Sequence, residues 1–296
     1  MILSEADVRR LLSMRDLVPA MERALEALSS GRVVQPLRCV IPVADHHGFF
    51  AVMPAYAGTL GAKLVTFFPE NREIHTHHAV IVLFRPETGE PLVTMDGRLI
   101  TEMRTGAVSA AATRALARSD ASVLAILGSG VQARSHLEAL RLVRNFRDVR
   151  VWSPGRARDF AQEFGVRLGA SAEDTVRGAH VVVVATTSKT PVLRGEWLSP
   201  GAHVNAVGAT RPDWRELDDA LLSRARVFVD SREAASRESG DVIAAGRIDA
   251  EIGEVFAGKR AGRTSADDIT LFKSVGVAVE DLAAADLVYR AALGRA

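Results

Sequence analysis

Apolar and polar positions alternate with two different periods along the first part of the chain. Up to Leu28 the apolar residues recur at helical spacing, with Ser4 placed as the N-cap of a first helix and a second helix predicted over about 16–28. From Val33 the period changes to 2, which is typical of half-buried strands. The predicted strands are 33–41, 48–53, 62–68, 78–84 and 91–95. An α+β module therefore opens the chain.

Short apolar runs alternate with helical stretches farther along. The run Val181–Val184 consists of four valines and is typical of a strand that is covered on both faces. Strands are predicted at 149–152, 180–184, 203–207 and 226–229. This alternation predicts a doubly wound parallel sheet. The final apolar segment, from Phe272 to Leu293, has helical spacing. It lies too far from the alternating strands and helices to form another βα unit, so we expect it to return to the first domain.

A glycine-containing turn joins one predicted strand to a helix. The apolar run 123–127 precedes Gly128, Gly130 and Ala133, which have the spacing G-x-G-x-x-G/A. The first glycine permits a tight turn, the second lets a pyrophosphate approach the backbone, and the phosphates would lie at the helix N-terminus. The turn predicts a dinucleotide site, with a purely structural turn as the alternative. Its candidate cofactor contacts are Gly128, Ser129, Gly130, Val131 and Gln132.

The residues after the next strand indicate which dinucleotide binds. An NAD site usually has Asp or Glu about 20 residues past the glycines, whereas NADP is accommodated by Arg and hydroxyl groups. This chain has Ser153, Arg156 and Arg158 there, with no acid before Asp159. The sequence therefore favours NADPH over NADH. The alternative is that these arginines only begin a solvated helix.

Three cations lie among apolar residues ahead of the turn. Arg38 and Lys63 interrupt predicted strands, and Arg104 belongs to a helix of small residues predicted at 101–113. A buried charge without a partner is costly, so each cation requires an anion from the protein or from a ligand. If the three converge, they form a pocket for a carboxylate beside the nicotinamide. Exposed edge positions and internal salt bridges are the alternatives.

A cluster of histidines raises the question of a metal site. His75, His77 and His78 lie close together in the sequence, and imidazole is a common metal ligand. No paired cysteines, H-E-x-x-H motif or carboxylate cluster completes a ligand set, so we predict no metal. A polar loop entering a strand is one interpretation, and a histidine that faces substrate is another.

Composition and charge narrow the classes of partner. The 37 basic and 36 acidic residues nearly cancel, to a net charge of +1, and aromatic residues are few, which argues against a nucleic-acid partner. No apolar run approaches the length of a membrane span. The single cysteine, Cys39, cannot form an intrachain disulfide, so we expect a cytoplasmic protein.

Eight short segments resemble the ornithine cyclodeaminase/mu-crystallin family, and together they cover nearly the whole chain. They are VMPAY at 52–56, KLVTF at 63–67, MDG at 95–97, RTGAVS at 104–109, GSGVQA at 128–133, NAVGATRPDWRELD at 205–218, ESGDV at 238–242 and FKS at 272–274. The resemblance implies an α/β protein with a Rossmann dinucleotide-binding domain, residues 114–275, inserted in an α+β dimerisation and substrate domain. That second domain comprises both chain ends, 1–113 plus 276–296, and a homodimer is expected.

The resemblance also implies roles for individual residues. Arg38, Lys63 and Arg104 match positions that hold the substrate's α-carboxylate, and His77 matches a residue that lines the pocket. Further cofactor contacts are implied at Thr186, Val207, Lys273 and Ser274.

Two departures distinguish this chain from ornithine cyclodeaminases. Thr210 stands where those enzymes carry a catalytic Asp, and Met53 stands where they carry a Glu. Oxidative deamination needs groups that accept protons, and Thr and Met are poor bases. The resemblance is strongest to the mu-crystallin branch and implies NADPH-dependent reduction of a preformed cyclic imine, such as pyrroline- or piperideine-2-carboxylate, by a site comprising Arg38, Lys63, His77, Arg104 and Thr210. Ornithine cyclodeamination, an alanine dehydrogenase type of activity and non-catalytic binding of a small ligand remain the alternatives.

Overall fold

The computed structural model describes residues 1–294, which form two compact units. One unit comprises Met1–Arg104 and the chain from Val277 on, and the other comprises Thr105–Gly276. The helices are α1 (Glu5–Leu11), α2 (Met14–Ser29), α3 (Arg98–Leu116), α4 (Val131–Arg141), α5 (Ala157–Phe164), α6 (Ala172–Val176), α7 (Asp219–Arg224), α8 (Arg232–Glu238), α9 (Gly240–Ala245), α10 (Ile252–Phe256) and α11 (Ala278–Ala292). The strands are β1 (Ile2–Leu3), β2 (Cys39–Val43), β3 (Gly48–Tyr56), β4 (Leu60–Phe67), β5 (His77–Phe84), β6 (Pro91–Asp96), β7 (Val123–Leu127), β8 (Asp148–Trp152), β9 (Arg167–Leu168), β10 (Val181–Val184), β11 (His203–Ala206), β12 (Arg226–Val229), β13 (Ala250–Glu251) and β14 (Thr270–Lys273).

The first unit is a six-stranded sheet in the order β1-β6-β5-β4-β3-β2, antiparallel except where β1 joins β6. Alternate residues of a strand point to opposite faces. On β4, Gly61 and Lys63 are buried on the inner face, whereas Leu64 is exposed on the outer face. Helix α11 packs on β3, β4 and β5, so close to Gly61 that a Cβ there would lie 3.2 Å from Leu282. The helix therefore covers the inner face.

Local sequence signals account for the first two helices. The Ser4 hydroxyl accepts a hydrogen bond from the Asp7 backbone, and the Asp7 carboxylate accepts one from the Ser4 backbone, so the predicted N-cap is confirmed as a full capping box. Helix α2 begins two residues before the predicted start because Ser13 supplies its cap.

The predicted strand 33–41 is wrong over most of its length. Val34 makes only an isolated bridge with Tyr56, and β2 begins at Cys39. Pro36 has no N–H to donate to a sheet ladder, which explains why the strand starts beyond it. Arg38 consequently precedes β2 and does not interrupt a strand.

The second unit is an eight-stranded sheet in the order β13-β12-β14-β11-β10-β7-β8-β9, and every pair in it is parallel. Its central strands are buried on both faces, as the four valines of β10 illustrate. The predicted α/β fold with a parallel sheet is confirmed.

The expectation that the segment from Phe272 on lies outside the sheet pattern is wrong. Phe272 belongs to β14, which pairs with both β11 and β12, and α11 begins only at Ala278. Gly276, with φ of 75°, separates the strand from the helix. Four buried residues are too few to show a period of 2, so the strand merges with the helical pattern in the sequence.

No helix within residues 1–294 combines the length and the apolar character needed to cross a membrane.

Candidate functional site

Charged side chains form one network on the inner face of the antiparallel sheet. Lys63 is only 2% exposed, and its Nζ lies 2.6 Å from Oδ2 of Asp281. The other oxygen of Asp281 accepts a hydrogen bond from Nε of Arg104 at 3.0 Å. Oε2 of Glu280 accepts one from Nη1 of the same arginine at 2.8 Å. Asp281 therefore joins two of the three cations that the sequence places among apolar residues, and Glu280 adds a second carboxylate to Arg104.

The first turn of α11 is a favourable place for these carboxylates. Glu280 and Asp281 are fully buried there, where the helix dipole and the unpaired N–H groups of the helix start stabilise negative charge. Because α11 lies across β3, β4 and β5, its first turn delivers both acids to the face that carries Lys63. Buried ion pairs are tolerated only when such partners are well placed.

The surroundings of Lys63 change its acidity. Burial, together with the charges of Arg104 and Arg38, lowers the pKa of Lys63 to about 8, against the opposing effect of Asp281. Arg38 is thus close enough to act electrostatically on Lys63. Burial alone would raise the pKa of Asp281, but Lys63 and Arg104 hold it below its ordinary value. At neutral pH the network therefore contains an ammonium, guanidinium groups and a carboxylate.

His77 begins β5 on the face that Lys63 occupies. Burial, followed by the positive charges of Lys63 and Arg104, lowers the pKa of His77 to about 3. Its imidazole is consequently neutral at physiological pH and offers a hydrogen bond rather than a charge. His78 points to the opposite, exposed face.

Met53 is the direct neighbour of Lys63 across the strands. The register of β3 and β4 pairs the two residues, and both side chains are buried. Directly opposed residues have Cβ atoms about 5 Å apart. A carboxylate at this position would compete with Asp281 for the ammonium, and the thioether of Met53 does not.

Sequence reasoning missed the acidic half of this network. Glu280 and Asp281 stand between Val279 and Leu282 in an apolar helix, which is the same signal that drew attention to Lys63. Applied to acids as well as to bases, the rule that buried charges require partners would have identified them.

The glycine turn of the second unit has the backbone that a dinucleotide requires. Gly128 has φ of 120°, and a Cβ there would lie 2.2 Å from the carbonyl oxygen of Ala185, so a side chain is excluded. Gly130 is the N-cap of α4, without a side-chain cap, and a Cβ on it would meet no atom within 4 Å. Ala133 is fully buried in the close packing of α4. Open space beside an uncapped helix N-terminus fits a pyrophosphate.

Some side chains around this turn are hydrogen-bonded or buried, and others are exposed. The hydroxyls of Ser129 and Ser153 are 2.8 Å apart, so the turn and the end of β8 are joined by a hydrogen bond. Oε1 of Gln132 is buried without a hydrogen-bond partner in the described part of the chain. Val131 is exposed, and Arg156 and Arg158 are exposed at the start of α5.

Three other candidate cofactor residues make hydrogen bonds inside the second unit. Thr186 donates its hydroxyl to Oε1 of Glu216 at 2.5 Å. Lys273 is fully buried, lies 3.3 Å from Oδ2 of Asp241 and donates to the carbonyl of Gly208. The hydroxyl of Ser274 donates to Asp230 at 3.0 Å. Val207 and Thr210 follow β11 and are half-buried.

No group of three or more His, Cys, Asp or Glu residues within 1–294 is arranged to hold a metal ion.

Comparison with known proteins assigns the chain to a family. The model of the ornithine cyclodeaminase/mu-crystallin family matches residues 1–296. The chain belongs to this family. It is 48% identical to the ketimine reductase mu-crystallin of Mus musculus over 288 residues, which cover 92% of this chain and 91% of that protein. The resemblance seen in the eight sequence segments is confirmed.

Two solved structures extend the comparison. The Δ1-pyrroline-2-carboxylate reductase of Thermococcus litoralis, in complex with NADH and L-proline, is 39% identical with a TM-score of 0.95, over 99% of this chain and 98% of that one. An archaeal alanine dehydrogenase dimer with bound NAD is 35% identical with a TM-score of 0.94, over 100% of this chain and 96% of that one. Both relatives bind a pyridine dinucleotide, for which the glycine turn of this family member is suited.

Proposed function

We propose that this protein reduces cyclic ketimine carboxylates, such as pyrroline- or piperideine-2-carboxylate, to cyclic L-amino acids with NADPH. The observation that carries the proposal is the buried network of Lys63, Arg104, Glu280 and Asp281. It is supported by the relatives named as a ketimine reductase and as a pyrroline-2-carboxylate reductase.

The cations of the network favour a substrate that carries a carboxylate. Lys63 and Arg104 are buried together, and the charge of Arg38 acts on Lys63. Arg38 and Arg104 would bind the carboxylate through charge-assisted hydrogen bonds.

Reduction of an imine requires a hydride at carbon and a proton at nitrogen. The reduced nicotinamide supplies the hydride when bound. Lys63 supplies the proton, because its ammonium is buried and its pKa of about 8 lies near the working pH. Neutral His77 borders the same face and accepts or donates a hydrogen bond to the substrate.

The residues that differ from cyclodeaminases support the same proposal. Neither Thr210 nor Met53 accepts a proton from an amine at neutral pH. A ready-made imine needs no such base, whereas oxidative deamination of ornithine does.

A panel of substrates tests the proposal. Oxidation of NADPH is followed with pyrroline-2-carboxylate, with piperideine-2-carboxylate and with pyruvate in the presence and absence of ammonia, and L-ornithine is offered with NAD or NADP. We expect rapid reduction of the cyclic imines and little proline from ornithine. The same ornithine assay with Thr210→Asp provides the comparison. Robust formation of proline by the unmodified protein would instead support a cyclodeaminase. If pyruvate is turned over faster than the imines are reduced, and only with ammonia, the result would support an alanine dehydrogenase activity of this protein, like that for which the 35%-identical relative is named.

The preference for NADPH over NADH is a separate part of the proposal. It is supported by Ser153, Arg156 and Arg158, which follow β8 where an NAD site would present an acid. Arg156→Ala should weaken NADPH binding and leave NADH binding nearly unchanged, as measured by titration of cofactor fluorescence. Arg177→Ala, at an exposed arginine paired with Glu173, is the control. Equal affinities of the unmodified protein for both cofactors would contradict the preference.

The assignment of tasks along the chain also belongs to the proposal. Cofactor binding is assigned to 114–275, including Thr186, Val207, Lys273 and Ser274, and substrate binding and dimerisation to 1–113 plus 276–296. A homodimer is supported by the dimeric alanine dehydrogenase relative. A cytoplasmic location is proposed from the sequence, and fractionation of cells that express the protein tests it.

A further inference from the structure

One carboxylate is shared by the two cations that the proposed reaction uses. Asp281 places Oδ2 at 2.6 Å from Nζ of Lys63 and Oδ1 at 3.0 Å from Nε of Arg104. Its neighbour Glu280 bonds to Arg104 at 2.8 Å. Both acids are fully buried on the same turn of α11, but they differ in which cations they contact.

The position of the Lys63 ammonium is fixed from a second direction. The hydroxyl of Thr101 donates to the carbonyl of Gly97 at 2.7 Å, so its oxygen is available to accept from Lys63 at 3.5 Å. An ammonium has three N–H groups. The ion pair with Asp281 and the contact with Thr101 lie on two sides of this group, and we expect an N–H to remain for a substrate.

We propose that Asp281 is a positioning residue that orients Lys63 as the proton donor and ties it to the carboxylate-binding Arg104, whereas Glu280 pairs with Arg104 and leaves the orientation of Lys63 to Asp281. The inference rests on the proposed imine reduction. As the imine carbon accepts the hydride, the electron pair of the C=N bond moves to nitrogen, which takes a proton from Nζ. Lys63 is left as a neutral amine and regains a proton from water.

Several charged groups face Lys63 and set the pH at which it loses its proton. Arg104 from α3 and Arg38 from the segment before β2 disfavour the ammonium, and Asp281 from α11 favours it. His77 from β5 is neutral near pH 7. Loss of the Asp281 charge leaves the ammonium buried among cations, so the pKa of Lys63 should fall.

The chain has only four lysines, Lys63, Lys189, Lys259 and Lys273, which makes this titration directly observable. NMR of the full-length protein labelled with ¹³C at lysine Cε follows each amine against pH without any substrate, and Lys63→Arg assigns the signal. Asp281→Asn should move the Lys63 titration down by about 1–3 pH units, the range for loss of a close opposite charge. Glu280→Gln, the matched control, should move it by much less.

Kinetics with a cyclic imine provide the second readout. In Asp281→Asn, the alkaline fall of kcat/KM should move to lower pH together with the NMR titration. In Glu280→Gln, KM for the imine should rise while the alkaline fall stays in place. Asp281→Glu keeps the negative charge but shifts its position. The pH at which Lys63 titrates should therefore stay close to that of the unmodified protein, whereas kcat should fall by about tenfold or more. This variant also serves as the test if Asp281→Asn does not fold.

Failure of this inference and failure of the proposed function give different results. If the unmodified protein reduces cyclic imines and Asp281→Asn changes neither the Lys63 titration nor the pH profile, the role of Asp281 is refuted alone. The same holds if Asp281→Glu keeps full kcat. If the unmodified protein reduces no cyclic imine, the proposed function is refuted. The role of Asp281 in catalysis is then refuted as well.

Discussion

Lys63 illustrates how far a physical rule applied to single residues can be taken. Its position among apolar residues predicts a need for an anion, and the structure provides Asp281 at 2.6 Å. The sequence could not predict which residue is the partner, because Lys63 and Asp281 are far apart in sequence and nothing in either segment specifies that α11 crosses β4. The need for a partner is local chemistry, but the choice of partner is tertiary packing.

Glu216 is a buried acid that the sequence did not single out. Its Oε1 accepts hydrogen bonds from the backbone and hydroxyl of Thr186, and Nζ of Lys273 lies 4.0 Å from Oε2. Burial nevertheless raises the pKa of Glu216 from its ordinary 4.5 to about 7, against the opposing effect of Lys273. The folded protein therefore holds this proton more tightly than the unfolded chain does.

A pH-dependent stability follows from this acid. The stabilisation by the bound proton is complete below about pH 4.5 and is lost as the pH rises through about 7. Glu216→Gln should therefore gain stability relative to the unmodified protein between pH 5 and 8, by at most about 3 kcal/mol. Thermal unfolding midpoints of the two proteins across this range provide the measurement. A difference between Glu216→Gln and the unmodified protein that stays constant across this range would contradict the prediction.

At the scale of elements, periodic patterns predicted the long elements well and the short ones poorly. Helix α1 begins directly after its predicted N-cap, and helix α2 and strands β3 to β6 lie close to their predicted bounds. The two-residue strands β1, β9 and β13 have no period to detect, and the four residues of β14 merge with the following apolar helix. Such strands are specified by the neighbours they pair with, which a single sequence does not reveal.

The turn between β7 and α4 separates two effects of glycine. Gly128 cannot carry a Cβ, because of its φ of 120° and the contact of 2.2 Å with Ala185, whereas Gly130 has open space around it. Gly130→Ala should therefore lower the unfolding midpoint only slightly, because Ala is a poorer N-cap than Gly, and should weaken NADPH binding by about tenfold or more, since the added methyl fills the space expected for the pyrophosphate. Gly128→Ala should lower both stability and binding. Unimpaired NADPH binding by Gly130→Ala would show that the phosphates lie elsewhere.

At the scale of the whole molecule, the outer face of the antiparallel sheet is the feature that a monomer does not explain. The register places Val52, Leu64 and Val80 in one row across β3, β4 and β5. Leu64 is 37% exposed and Val80 is 41% exposed, and Ile41 of β2 is exposed on the same face. Grouped apolar residues on a surface are typical of an interface.

The homodimer proposed above predicts that this face is covered by a second copy of the chain. Light scattering should give a mass of about twice the 31.8 kDa of one chain. Leu64→Arg places a charge in the centre of the apolar row, where it would be desolvated without a partner, and should shift the protein to the monomer. Leu168→Arg, at a leucine that is 40% exposed in the second unit, should remain dimeric. Because the glycine turn lies in the second unit, NADPH binding should persist in the Leu64→Arg monomer. A dimer that survives Leu64→Arg would place the interface on another surface.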